Sequence, residues 1–232
     1  YLRSRGALEP WQLGVGTQRS HPGSLLEHIE KHLGEVLPLS LQEIVPGEPS
    51  IQIHAVRRSH NLVLVTTGMS DRPMTVPPGA EAYRYAELLI YLPADWPIGQ
   101  EALKDPNHAW PIEWLRRMAR YPHDEHTWLG GKVAIFANGE PPRPLAPNTR
   151  LSCLMLLPEP GDLGTAELAD GRVVQFYCVY PLYTEERDLE KQKGTEHLIH
   201  LFQANLIGTT VDVQRANVGL SRTRRRWWQW RD

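Results

Sequence analysis

Cysteine is scarce, with two in 232 residues, and two cannot staple a chain of this length, so a disulfide scaffold is excluded. Long apolar runs are missing as well. The longest, such as Leu62 to Val65 and Leu88 to Leu92, fall far short of the roughly 20 residues of a membrane-spanning helix, and mean hydropathy is -0.42. Residues 1 to 20 hold no continuous apolar stretch, so no signal peptide is read there. Catalytic signatures are absent too. There is no GxGxxG and no P-loop, since Gly130-Gly131-Lys132 lacks the upstream glycine and the following Ser or Thr. Gly68-Met69-Ser70 is followed by Asp71 and Arg72, which leaves a nucleophile elbow incomplete. Neither cysteine neighbours a histidine.

What is present is ordinary globular material, 41% apolar and 22% charged, sized for one large domain or two small ones. The 20 prolines and 18 glycines recur between apolar runs as loop punctuation. Cys153 and Cys178 lie in the strand-like runs LSCLMLL and VVQFYCVY. A reduced, buried pair in a cytoplasmic protein is therefore expected. The net charge of -2 conceals an asymmetry. Setting aside Arg222, Arg224, Arg225, Arg226, Arg231 and Asp232 leaves 20 basic and 26 acidic residues, a net of -6 for residues 1–221.

Apolar spacing at Leu25, Ile29 and Leu33 predicts an amphipathic helix over 23–37, with Ser20 as its cap and Pro38 as its stop. Ile51 to Arg57 and Leu62 to Thr67 read as an antiparallel hairpin turning at His60-Asn61. Met69 to Gly79 is an ordered loop, and Tyr85 to Leu92 a third strand. A second helix is expected over Ile112 to Tyr121. Further strands are Lys132 to Ala137, Leu151 to Leu157 and Val173 to Tyr180, with a last short one at Val211 to Arg215. Helix returns at Thr184, breaks at Gly194, and resumes from Thr195 to about Leu206. The order implies an α+β fold, with a central twisted mixed or antiparallel sheet of about six strands and helices packed on it.

Several clusters could carry chemistry. His28 and His32 have a chelating i, i+4 spacing, but their acidic and basic neighbours mark a solvated face. His123, Asp124, Glu125 and His126 form a denser donor set after Pro122; an exposed polar loop is expected, with a metal-dependent hydrolase using His123 and His126 as the alternative. Glu87 stands inside the apolar strand AELLIYL. Buried, it needs a cationic or hydrogen-bonding partner, and a structural salt bridge is expected over a general base. The tail RTRRRWWQWRD offers Arg224, Arg225, Arg226, Trp227, Trp228 and Trp230 to phosphates, anionic surfaces or acidic proteins. Its simplest reading is a surface extension.

Six segments then occur in a recognisable order: LVTTGMSDRPM, YAELLIYLP, WPIEWLRRMARY, TWLGGK, LMLLPEP and VVQFYCVYPLYTEERDLEKQKGTEHLIHLF. That order resembles the suppressor-of-fused (SUFU) domain family, the bacterial members in particular, over residues 22 to 219. The resemblance implies an N-terminal extension over 1–21, a SUFU-like domain over 22–219 and a separate tail over 220–232. It also implies an α+β domain without catalytic activity or cofactor, which binds a protein partner. In the animal protein that partner adds a peptide strand between two lobes, of which this chain matches the N-terminal one. For bacterial relatives the resemblance implies an immunity protein that neutralises a toxin encoded nearby. A regulatory peptide-binding protein of another pathway is the alternative. An acidic body suits capture of a basic toxin. The matched positions are the turn from Thr67 to Asp71, Tyr85, Glu87, Trp128 and Gly130. Of these, Ser70, Asp71, Tyr85, Glu87 and Trp128 are the candidate partner-binding residues.

Overall fold

Two sequence-distant antiparallel units meet along one parallel strand pair. The computed structural model describes residues 11–15, 21–43, 48–131 and 133–220; Ser20 and the basic aromatic tail lie outside them. The strands are β1 (Trp11–Val15), β2 (Val36–Glu43), β3 (Gln52–Arg57), β4 (Asn61–Thr67), β5 (Tyr85–Pro93), β6 (Ala134–Ala137), β7 (Cys153–Pro158), β8 (Thr165–Glu167) and β9 (Val173–Leu182). Their order is β1-β2-β3-β4-β5-β9-β7-β6, with β8 beside β9. Every pairing is antiparallel except β5 with β9, in register from Tyr85↔Val174 to Leu89↔Cys178.

The α+β architecture and the β3–β4 hairpin follow the sequence pattern, and the sheet is wider than six strands because β1, β2 and β8 join it. Trp11–Val15, inside the stretch read as an N-terminal extension, pairs along β2. Strand β2 escapes the pattern because Pro38 looks like a helix stop. Here Pro38 falls in a register shift between Val36 and Ser40, a place where a residue without an N–H is tolerated.

Alternation sorts the sheet's side chains onto two faces. Leu88, Ile90 and Leu92 of β5 join Leu62 and Leu64 against helix α3 (Pro106–Asp124). Leu89 and Tyr91 join Val63, Val65 and Phe176 against helix α1 (Leu25–Leu33). Farther along that second face, Cys153, Met155 and Leu182 pack with Leu198 and Phe202 of helix α5 (Thr195–Ala204). Both cysteines are free and buried. Each fully buried leucine or phenylalanine contributes about 1.5–3 kcal/mol.

The helices are corrected at their ends. Helix α1 is capped by Ser24, whose Oγ accepts from Glu27 N at 3.2 Å, and stops at Gly34 with φ 110° rather than running to Leu37. A short helix α2 (Gln100–Lys104) precedes α3. Asp105 caps α3 by accepting from Asn107 N, with Pro106 in the first turn. Helix α3 continues through Pro111 and Pro122. Pro111 has no N–H for the carbonyl four residues back, and that carbonyl, Asn107 O, accepts instead from Asn148 Nδ2 at 3.4 Å. His123 is consequently helical, not part of a polar loop. Helix α4 (Thr184–Lys193) and α5 are separated at Gly194 as the sequence indicates.

No strand forms at Val211–Arg215. The segment is a strap held by single bonds: Val211 N donates to Tyr91 O, Thr149 Oγ1 to Val213 O, and Tyr183 Oη to Arg215 O. Its clamp is Arg215, which reaches both carboxylate oxygens of fully buried Glu186 at 2.6 Å and packs over the rings of Tyr183 and Phe202. Tyr183 N and Val218 N also donate to Glu186. Arg215→Ala leaves that carboxylate buried without its cation and is expected to cost about 3–5 kcal/mol in urea denaturation. The double change Arg215→Met with Glu186→Gln removes both charges and should cost clearly less.

The turn after β4 depends on Gly68, which has φ 95° and lies so close to Ser50 that an added Cβ would collide with the Ser50 carbonyl oxygen. Gly79 has a similar φ of 87° but open space around it. Gly79→Ala should therefore cost only the left-handed penalty of about 1–2 kcal/mol. Gly68→Ala should cost roughly 2–4 kcal/mol, because backbone must also shift. Equal losses at the two positions would show that the Ser50 contact is not a constraint.

Candidate functional site

Parallel strands start at the same edge of a sheet, so the turns that lead into β5 and β9 are brought side by side. Leading toward β5 is the turn Gly68–Asp71, folded as a short 3-10 helix. Leading into β9 is the tight β8–β9 turn, closed by Leu168 N to Arg172 O and Gly171 N to Leu168 O. The N-terminus of α1 completes the enclosure, with Ala169 N donating to Gly23 O at 3.0 Å. These three segments and the ends of β3 and β4 line a cleft of about 520 Å³ whose walls include Ser24, Thr67, Ser70, Asp71, Asp170 and Arg172.

Arg172 ties the two turns together. Its Nη1 donates to Ser70 O at 2.6 Å, its Nε and Nη2 meet Asp170 Oδ2 at 2.7 Å, and Asp71 Oδ1 lies 3.5 Å from Nη1. The guanidinium sits 5.9 Å from the centroid of the Tyr85 ring, a cation–π distance. The bonds from Arg172 hold the Asp170 carboxyl below the usual aspartate range. Asp71 and Asp170 keep 68% and 52% of their side chains exposed, against 28% for Arg172. The cleft therefore turns carboxylates outward while its cation is engaged with protein groups.

Behind the turn lies Glu87, fully buried on β5. Its Oε1 accepts from Ser70 N at 2.9 Å and Ser70 Oγ at 2.7 Å, and its Oε2 from Thr66 Oγ1 at 2.6 Å. Among the described residues no cation pairs with it, which corrects the expected salt bridge: hydroxyl and amide donors take that place. Burial pushes its carboxyl up to about 7, against the pull of those three donors. His54 of β3 bonds Thr67 Oγ1 at 2.8 Å, and burial lowers its imidazole to about 4. From the other face His123 bonds Met69 O at 3.1 Å through Nε2.

Of the residues singled out in the sequence, Ser70, Asp71, Tyr85 and Glu87 come together here. Asp71 and Tyr85 are accessible, whereas Ser70 and Glu87 are buried and support the turn. Trp128 lies apart, packed against the α3-side core with its ring 6.2 Å from that of Tyr83. The structure adds Arg172 and Asp170, which the sequence reading does not single out. The signal available was Asp170-Gly171 between two short apolar runs, a hairpin dipeptide.

The metal reading finds no support in the geometry. His123 is engaged with Met69 O, and His126 is exposed at φ 50°. Among the described residues, no three His, Cys, Asp or Glu side chains are grouped to hold a metal ion. His28 and His32 are also corrected: His28 is half-buried, stacked 5.5 Å from the Phe176 ring and bonded to Leu163 O, rather than solvated. Among the described residues no helix is long and apolar enough to cross a membrane.

The sequence model of the family Suppressor of fused protein (SUFU) matches residues 47–216. Among solved structures, a SUFU homologue from Neisseria gonorrhoeae is similar with TM-score 0.54 and 19% identity, over 83% of this chain and 93% of that one. Drosophila Suppressor of Fused gives TM-score 0.60 at 15% identity, over 84% of this chain and 51% of that one, so the match spans about half the Drosophila protein. A chain of the Sufu–Fu complex gives 0.58 at 14% identity, over 83% of this chain and 90% of that one. No curated protein sequence matches significantly. The structural likenesses establish the shared fold, and the family match, over well more than half the residues, establishes descent: the chain belongs to the suppressor of fused (SUFU) family.

Proposed function

We propose that this protein works by capture rather than by catalysis, as a non-enzymatic module that binds a protein partner at the cleft between the Gly68–Asp71 turn, the Asp170–Arg172 turn and the start of α1. The observation that carries this reading is the pre-built charged wall, in which Arg172 is committed to Ser70 O and Asp170 while Asp71 and Asp170 face solvent. Such a wall recognises a cation without offering it a reacting group. The relative found in the Sufu–Fu complex supports a binding role by kinship.

The partner is a basic protein, and the biological role is that of a cytoplasmic immunity protein neutralising a toxin encoded nearby. The net charge of -6 over residues 1–221 supports this, since complementary charge raises association rates and discourages wrong partners. In this reading residues 22–219 form the binding unit. Asp71, Tyr85 and Asp170 touch the partner, Ser70 and Glu87 hold the wall, and Trp128 serves a separate patch. Contact with nucleic acid or anionic surfaces is left to the tail.

The test is co-expression with the product of each adjacent gene, followed by kinetics on any complex recovered. A stable complex with a toxin is expected, its association slowing about 10-fold in Asp71→Asn/Asp170→Asn at low salt while the melting temperature stays near that of the wild type. Neighbouring genes without a toxin would end the immunity role. A complex indifferent to both carboxylates would move the interface away from this cleft.

A further inference from the structure

The hydrogen bonds around Glu87 can be satisfied in two ways. With the carboxylate ionised, Ser70 N, Ser70 Oγ and Thr66 Oγ1 all donate to it. Thr66 Oγ1 simultaneously accepts from Leu88 N at 2.8 Å and stands 3.4 Å from Leu88 O. If Oε2 gains a proton, it donates to Thr66 Oγ1, and the hydroxyl hydrogen of Thr66 turns to Leu88 O. Thr66 Oγ1 then accepts two bonds and donates one, within the capacity of a hydroxyl. Ser70 keeps both of its bonds to Oε1. Thr66 Oγ1 need only close a few tenths of an ångström on Leu88 O, so the wall stands in either protonation state.

We propose that Glu87 and the Thr66 hydroxyl form a proton-exchanging anchor beneath the Gly68–Asp71 wall, so that the charge under the cleft follows pH and the presence of a docked cation. This rests on the reading of the cleft as a partner-binding site and adds its regulation. Among the described residues no cation is paired with Glu87. Asp71, on the same turn, disfavours the ionised form. Arg172, from the β8–β9 turn, is occupied by Ser70 O, Asp170 and Asp71. Of the histidines on elements packed nearby, His54 of β3 is lowered to about 4, and His123 of α3 and His28 of α1 are both lowered by burial. All three are therefore neutral at pH 7. A cation docked against Asp71 offsets that repulsion and favours ionised Glu87, so its binding releases a proton and tightens as pH rises.

The sign for stability is opposite. A folded-state value near 7 against an ordinary 4.5 means that the stabilising contribution is complete below 4.5 and is lost as pH rises through 7. Carboxyl-carbon NMR on the free protein, carrying 13C-labelled glutamate, reads the anchor directly. One resonance, correlated through bonds to the Glu87 amide and missing in Glu87→Gln, should titrate near neutrality without shifts of the Ser70 amide typical of a refolded turn. Wild type should lose melting temperature between pH 5 and 8 relative to Glu87→Gln, which keeps the amide-to-Thr66 bond. Titration of Glu87 in the ordinary glutamate range, about 4, or parallel pH–stability curves, would overturn the anchor. The through-bond assignment keeps the test alive should Glu87→Gln fail to fold. Because no partner is present, this result is independent of the capture reading, which stands or falls on the Asp71/Asp170 variant.

Discussion

The parallel pairing of β5 with β9 is the constraint on which the rest of the molecule depends. Only five residues of each strand are in register, Tyr85–Leu89 against Val174–Cys178, yet they join the meander β1–β5 to the group β9, β7, β6 and β8. A parallel pair cannot be closed by a tight turn and needs a long connection. Here that connection holds α2, α3, β6, β7 and β8. Its consequence for function is geometric. Both strands begin at one edge, so the chain entering β5 and the chain entering β9 share a boundary, and Arg172 reaches Ser70 O across 102 positions of sequence. Remove the pairing and no cleft exists.

Much of this was legible and some was not, for separable physical reasons. The β3–β4 hairpin, β5 and β9 announce themselves because both faces of the sheet are covered, leaving near-continuous apolar runs. The break at Gly194 is a plain C-terminal signal, with φ 86°. Pro111 and Pro122 look like helix boundaries, so the sequence pattern shows only part of α3. At the first, Asn148, distant in sequence, takes the carbonyl that proline frees. Strand β2 is hidden by the same kind of feature, a proline whose missing donor a register shift absorbs. At the site, Glu87 stood out as an acid in an apolar strand. Its partners could not be named, because Thr66 and Ser70 face it only once β4 ends and the Gly68 turn folds back. Arg172 is one arginine among many until β9 is placed beside β5.

Among the described residues two acids are fully buried, Glu87 and Glu186, and they are handled in opposite ways. Glu186 receives a guanidinium at 2.6 Å to both oxygens together with two backbone donors. Attraction at such distances in a buried setting is large enough to offset much of the desolvation. That pair fastens the strap at Val211–Arg215. Among the described residues, Glu87 receives neutral donors only. The rise from 4.5 to about 7, about 3 kcal/mol against the ionised form, is what remains after those three donors have offset part of the desolvation. That remainder puts the exchange of the proton near neutrality. An acid gripped at both oxygens by a guanidinium suits a clamp. An acid balanced between two states suits a wall that must respond to what approaches it, and Glu87 is the one placed behind the cleft.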